Sequence, residues 1–123
     1  MRRILIIDDE DDIREVAALS LESIAGWDVS TASSGAEGMR MASQNAPDAI
    51  LMDVMMPAMD GPTTFKEMQK DPALAGIPVV LLTAKVQGVD QRRFAGLGVA
   101  AVLFKPFDPL TLAEQMSAAL GWS

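Results

Sequence analysis

The chain has neither cysteine nor histidine among its 123 residues. Without cysteine there are no disulfides, no thiol chemistry and no thiolate metal sites. Without histidine there are no imidazole ligands and no imidazole general bases. Tyrosine is also absent, and aromatic residues make up only 5% of the chain. Nine methionines instead point to an aliphatic, adaptable core. Basic residues are outnumbered, 10 against 17 acidic, for a net charge of −7. That balance argues against nucleic-acid binding driven by phosphate contacts. Long apolar runs are missing too: the longest are about six residues, far short of the roughly 20 of a membrane span. Met1-Arg2-Arg3 leads straight into a strand-like segment with no small-residue cleavage site. A cytoplasmic protein with no membrane association is expected.

What remains is half apolar, enough to bury a core in one domain spanning residues 1–123. The central stretch is Ile50-Leu51-Met52-Asp53-Val54-Met55-Met56-Pro57. Continuous apolar residues that end before a proline read as a buried strand of a parallel sheet. Asp53 falls at the end of that strand. In open α/β sheets, chemistry collects at the carboxyl ends of strands.

Three other runs have the same character, and a fourth, short segment also reads as a strand. Ile4-Leu5-Ile6-Ile7 stops abruptly at Asp8-Asp9-Glu10-Asp11-Asp12. A run of acids is, taken alone, a solvated turn or helix start. Asp11 or Asp12 can cap the next helix and meet the positive end of its dipole. Asp8 and Asp9 are left without a structural task. The helix that follows places Ile13, Val16, Ala17, Ser20, Leu21 and Ile24 near one face and stops at Gly26. Val29 to Ala32 forms a short strand. Ser34 and Glu37 form a capping box for a helix carrying Met39 and Ala42.

After Pro57, Met59-Asp60-Gly61-Pro62 is turn chemistry, with Pro62 suited to the first helical position. A helix carrying Phe65 and Met68 follows. Pro78 to Thr83 is a fourth strand, ending in a hydroxyl. Residues 85–97 lack a clean apolar stripe, and a short or mobile helix is expected there. Ala101 to Phe104 is a fifth strand, ending at Lys105-Pro106. Asp108 and Pro109 give an N-cap and N1 pair for a last helix striped by Leu112, Met116, Ala119 and Leu120.

Strand and helix patterns therefore alternate five times, which predicts an α/β doubly wound parallel sheet with helices on both faces. Right-handed crossovers bring the strand ends to one edge. The polar residues there are Asp8 and Asp9, Asp53, Thr83 and Lys105. Thr83 alone is an ordinary strand-end residue and Lys105 alone a surface lysine; their joint placement beside Asp53 is what matters. Three carboxylates on one edge repel, at roughly 4 kcal/mol per pair at 4 Å and an effective dielectric of 20. Either their titrations shift and couple, or a cation sits among them. All-oxygen ligands favour Mg²⁺.

These residues resemble a response-regulator receiver domain of the single-domain chemotaxis type. The resemblance rests on Asp8-Asp9, on Asp53 to Pro57 with Met59-Asp60-Gly61, on Thr83-Ala84 and on Lys105-Pro106-Phe107. It implies a flavodoxin-like (βα)5 fold with strand order 2-1-3-4-5. It also implies that Asp53 accepts a phosphoryl group, that Asp9 holds Mg²⁺ directly and Asp8 through water, and that the Met55 carbonyl is a further ligand. Thr83 is expected to hydrogen-bond a phosphoryl oxygen, and Lys105 to pair with phosphoryl oxygens before a cis bond to Pro106. The donor would be a histidine kinase or phosphotransfer protein, and the output would be binding of a downstream protein by a monomer without an output domain. Such a protein is a signalling switch, not an enzyme in the usual sense. By the same analogy, Ile13, Arg14 and Val16 lie on a kinase-docking face and the last two elements on an output face.

One position departs from the family pattern. Val102 stands where the family usually has an aromatic residue, three before the lysine. Phe104, nearer the lysine on the same strand face, is at best a partial substitute. The competing reading is therefore a receiver-fold binding module that does not switch. A haloacid-dehalogenase-type phosphatase would want a second aspartate at Met55. A flavodoxin would not place five acids at its phosphate loop.

Overall fold

A computed structural model describes residues 1–84, 94 and 96–122 of the chain. Within these, the five strands are β1 (Arg3–Ile7), β2 (Asp28–Ala32), β3 (Ala49–Asp53), β4 (Val79–Thr83) and β5 (Ala101–Phe104). The helices are α1 (Asp11–Ala25), α2 (Gly35–Gln44), α3 (Gly61–Gln69) and α4 (Leu112–Leu120). All strand pairs are parallel, in the order β2-β1-β3-β4-β5. This is the flavodoxin-like arrangement. Most of the expected helix between β4 and β5 lies outside the described residues.

β3 and β4 are buried along their whole length, which is why their sequences run apolar without alternation. Their residues divide between two cores, one on each face of the sheet. Leu5, Ile7, Ile50, Met52, Val79 and Leu81 pack with Ala42 of α2 and with Phe65 and Met68 of α3. Ile4, Ile6, Ala49, Leu51, Val80 and Leu82 pack with Ala17 and Leu21 of α1 and with Leu112 and Met116 of α4. Burying one such side chain contributes roughly 1.5–3 kcal/mol, so each face alone is a substantial core.

Helix ends follow the sequence in part. Gly26 closes α1 in the left-handed region, as expected. The Ser34 hydroxyl accepts from the Glu37 N–H at 3.1 Å, but the Glu37 carboxylate accepts from the Ser33 N–H, one residue earlier than a capping box requires. Three expectations are corrected. Glu10, not Asp11 or Asp12, occupies the N-cap of α1, and no side chain caps it. The two aspartates sit in the first turn, where their charges still meet the dipole. Pro62 falls behind Gly61, because Asp60 takes the cap and accepts from the Thr63 N–H at 2.8 Å. Asp108 does not open the last helix. Its side chain accepts from the Leu110 N–H and its carbonyl from Thr111 and Leu112, a turn that delays α4 until Leu112.

The apolar face of α1 is narrower than its spacing suggests. Ala17, Ser20 and Leu21 are buried, whereas Val16 and Ile24 are exposed. The buried Ser20 hydroxyl donates to the Pro109 carbonyl, tying α1 to the turn before α4.

Candidate functional site

The sheet brings the expected polar residues to one edge. The Asp8 N–H continues the β1–β2 ladder by donating to the Ala32 carbonyl at 3.1 Å, so Asp8 leaves the sheet in fixed register. Asp53 is the last residue of β3, and its neighbour Val54 donates to the Leu82 carbonyl at 3.1 Å. Alternation puts Asp53 on the α1/α4 side of the sheet, like Leu51, and Thr83 on the α2/α3 side, like Leu81. Thr83 is buried at the end of β4, and its carbonyl accepts from the Lys105 N–H at 2.8 Å. The Lys105–Pro106 peptide bond is cis, as the resemblance implied.

Lys105 is the hub. Its Nζ lies 3.0 Å from Asp8 Oδ2, 3.2 Å from Asp53 Oδ1 and 3.8 Å from Glu10 Oε1. Asp8 and Asp53 are 1% and 3% exposed. Asp8 Oδ1 accepts from the Glu10 N–H at 2.9 Å, and Asp53 Oδ1 receives a longer bond, 3.4 Å, from the Met55 N–H. Asp53 Oδ2 is buried and has no hydrogen-bond partner; Asp8 Oδ2 has its charge contact with Lys105 but no hydrogen bond of good geometry. A buried oxygen such as Asp53 Oδ2 is costly to leave unsatisfied.

Electrostatics follow from this crowding. Burial, and then the charge of Asp8, raise Asp53 from 3.8 to about 6, against the pull of Lys105. Burial would lower Lys105, but its close pairing with the carboxylates of Asp8 and Asp53 outweighs that and leaves its pKa raised. The site thus holds its lysine protonated and one of its carboxylates only reluctantly ionised.

Oxygens of Asp8, Asp9, Glu10 and Asp53 all lie within 4.8 Å of one another. These donors are hard, and the chain has no histidine or cysteine to compete with them. They fit Mg²⁺ better than a transition metal. Glu10 is the member of this cluster that sequence reasoning missed. It is one of five consecutive acids, and only the turn geometry separates it from Asp11 and Asp12. Arg14, expected on a docking face, also has a structural part. Its guanidinium donates to the Asp8 carbonyl at 2.7 Å and pairs with Asp11, holding the acidic turn in place.

Gly61, read from the sequence as turn chemistry and part of the family motif, makes a contact that reading did not foresee. A Cβ at this position would lie 2.5 Å from the Asp53 carbonyl oxygen, and the Gly61 N–H donates to the Val54 carbonyl at 2.9 Å. The start of α3 therefore packs directly against the backbone of Asp53. The Asp60-Gly61 pair signalled a turn, but not what the turn approaches.

Such an edge could hold a hard cation beside a protonated lysine. Residues 4–117 match the response regulator receiver domain, and the chain belongs to that family. Receiver domains are phosphoacceptor switches of two-component systems, not enzymes in the usual sense, aside from slow autodephosphorylation. The chain is 39% identical over 120 residues to the DNA-binding dual master transcriptional regulator RpaA of Synechocystis, covering 98% of this chain and 49% of RpaA. It spans about half the length of this and other transcriptional regulators that it matches. Its fold matches chemotaxis protein CheY4 of Vibrio cholerae at a TM-score of 0.89 and 29% identity, over 97% of this chain and 98% of that one. It also matches the receiver domain of a sensor histidine kinase from Pseudomonas aeruginosa at 0.85 and 28%, over 98% of each chain. That structure has a magnesium ion coordinated in its active site cleft. Among the described residues here, no helix is long and apolar enough to cross a membrane.

Proposed function

We propose that Asp53 is the phosphoryl acceptor of this receiver, with Thr83 and Lys105 positioning the transferred group. The carrying observation is Asp53 Oδ2, a buried carboxylate oxygen with no hydrogen-bond partner beside a lysine ammonium. In the transfer, a carboxylate oxygen of Asp53 forms a bond to phosphorus. The P–N bond of a partner's phosphohistidine breaks, and the imidazole leaves with the electron pair and takes up a proton. Lys105 then faces the new oxygens, and the Thr83 hydroxyl hydrogen-bonds one of them. Asp9, Asp53 and the Met55 carbonyl would hold Mg²⁺, with Asp8 acting through water. Bound there, Mg²⁺ would neutralise the carboxylates and the equatorial phosphoryl oxygens, which is most of what phosphoryl transfer requires of a protein.

The donor is a histidine kinase or phosphotransfer protein, and the phosphorylated receiver acts in the cytoplasm by binding a downstream protein. Incubation with Mg²⁺ and a small acyl phosphate, followed by intact mass, tests acceptance. Wild type gains one phosphoryl group and Asp53→Asn does not. An unmodified wild type, under conditions that label a control receiver, overturns the reading.

Val102 supports one alternative. It packs half-buried against the α2/α3 core at the position where an aromatic residue was expected. A receiver that binds its partner without switching would show equal partner affinity with and without phosphodonor. Asp53→Ala would bind with that same affinity.

A further inference from the structure

Glu10 has no assigned task, yet its backbone is pinned to the site by the bond from its N–H to Asp8 Oδ1 at 2.9 Å. Its side chain makes no capping hydrogen bond, although it occupies the N-cap of α1. It turns instead toward Lys105, at 3.8 Å, with its carboxylate among those of Asp8, Asp9 and Asp53. It also differs from its neighbours in exposure. The Glu10 side chain is 61% exposed, against 2% for Asp8 and 3% for Asp53. Lys105 therefore has two buried carboxylates beneath it and one solvated carboxylate at its outer side.

An incoming phosphodonor must reach Asp53 from solvent and must take up Lys105 with its own oxygens. Both steps bring negative charge toward Glu10. We propose that Glu10 is a donor-selecting residue: an anionic lip that disfavours highly charged phosphodonors. The proposal rests on Asp53 being the acceptor. It makes Glu10 a specificity determinant, not a group that touches the reacting atoms. Because its side chain is mostly exposed, its effect is screened and modest, on the order of a few-fold in rate.

The test compares wild type with Glu10→Gln at saturating Mg²⁺, using two donors of different charge. Acetyl phosphate is a dianion at neutral pH. Its bond from phosphorus to the acyl oxygen breaks, and acetate leaves with the electron pair. Phosphoramidate is largely a monoanion whose nitrogen already carries the extra proton, and it loses ammonia. Phosphorylation rates are read by intact mass at low and at high salt, with Asp53→Asn as the blank.

At low salt, Glu10→Gln is expected to react about threefold faster with acetyl phosphate and less than about twofold faster with phosphoramidate, since the repulsion scales with donor charge. The advantage should shrink toward unity at high salt, where the Debye length falls to about 3 Å. Glu10→Lys should enlarge it at low salt. Equal acceleration with both donors would overturn the proposal, as would a change that ignores salt, since a merely structural role predicts those results. If neither wild type nor Glu10→Gln is labelled beyond the blank, the phosphoacceptor reading itself fails and this inference falls with it.

Discussion

Replacing Asp53 by asparagine should make the metal-free protein more stable, even though it removes an ion pair 3.2 Å long. Asparagine keeps the shape and the acceptor oxygen and deletes the charge. In the folded chain that charge is opposed by burial and by Asp8 more than it is favoured by Lys105, so the Asp53 pKa rises from 3.8 to about 6. At about 1.4 kcal/mol per pH unit, the ionised side chain costs the native state about 3 kcal/mol. A raised carboxylate pKa means that the folded state holds the proton more tightly than the unfolded one. Its contribution is therefore fully present below 3.8 and lost as pH rises through about 6. Asp53→Asn should match wild type near pH 3.8 and exceed it by about 3 kcal/mol at pH 8. With an m-value of about 1.5 kcal/mol/M, that is a rise of about 2 M in the urea midpoint. Trp27 and Trp122, packed edge to face at 5.3 Å, provide the fluorescence signal. Lys105 stays paired with Asp8 in the variant, so no uncompensated ammonium is created. Added Mg²⁺ should narrow the gap, because wild type keeps the carboxylate that asparagine lacks. A variant less stable than wild type at pH 8, or a gap that does not change with pH, would refute this electrostatic reasoning.

Other substitutions probe the supports of the site. Lys105→Met removes the cation shared by two buried carboxylates and should cost about 3–5 kcal/mol at neutral pH. Urea unfolding should show that loss shrinking as the pH is lowered and the carboxylates protonate. Gly61→Ala sets a Cβ against the Asp53 carbonyl and should cost about 1–3 kcal/mol, with slower labelling of Asp53. Normal stability and normal labelling would show that the close approach does not matter. Ala58 has a φ of 67°, in the loop after Asp53, and Ala58→Gly should raise stability by about 1 kcal/mol in thermal unfolding.

The fold was legible because the central strands are short apolar runs, and every strand, including the more polar and exposed β2, was placed within a residue or two. The clustering of the candidate residues was legible because Asp53, Thr83 and Lys105 each end or follow an apolar run, and a parallel sheet collects strand ends on one edge. What could not be read depended on local backbone geometry. Asp108 followed by Pro109 has the composition of a helix start, but its hydrogen bonds close a preliminary turn first. Val16 and Ile24 have helical spacing, yet α4 covers only the narrower stripe of Ala17, Ser20 and Leu21. Within five consecutive acids, charge alone could not distinguish Glu10, which reaches Lys105, from Asp11, which pairs with Arg14. Nor could composition reveal that Gly61 lies against the Asp53 backbone from eight positions along the chain.

An acyl phosphate on an aspartate can be reduced by borohydride, leaving homoserine at the labelled position. Peptide mapping after labelling with Mg²⁺ and a small phosphodonor, then reduction, asks which carboxyl carries the phosphoryl group. Homoserine at position 53, absent when Mg²⁺ is withheld, is the predicted result. Homoserine at position 8 or 9, or none at all, would contradict Asp53 as the acceptor.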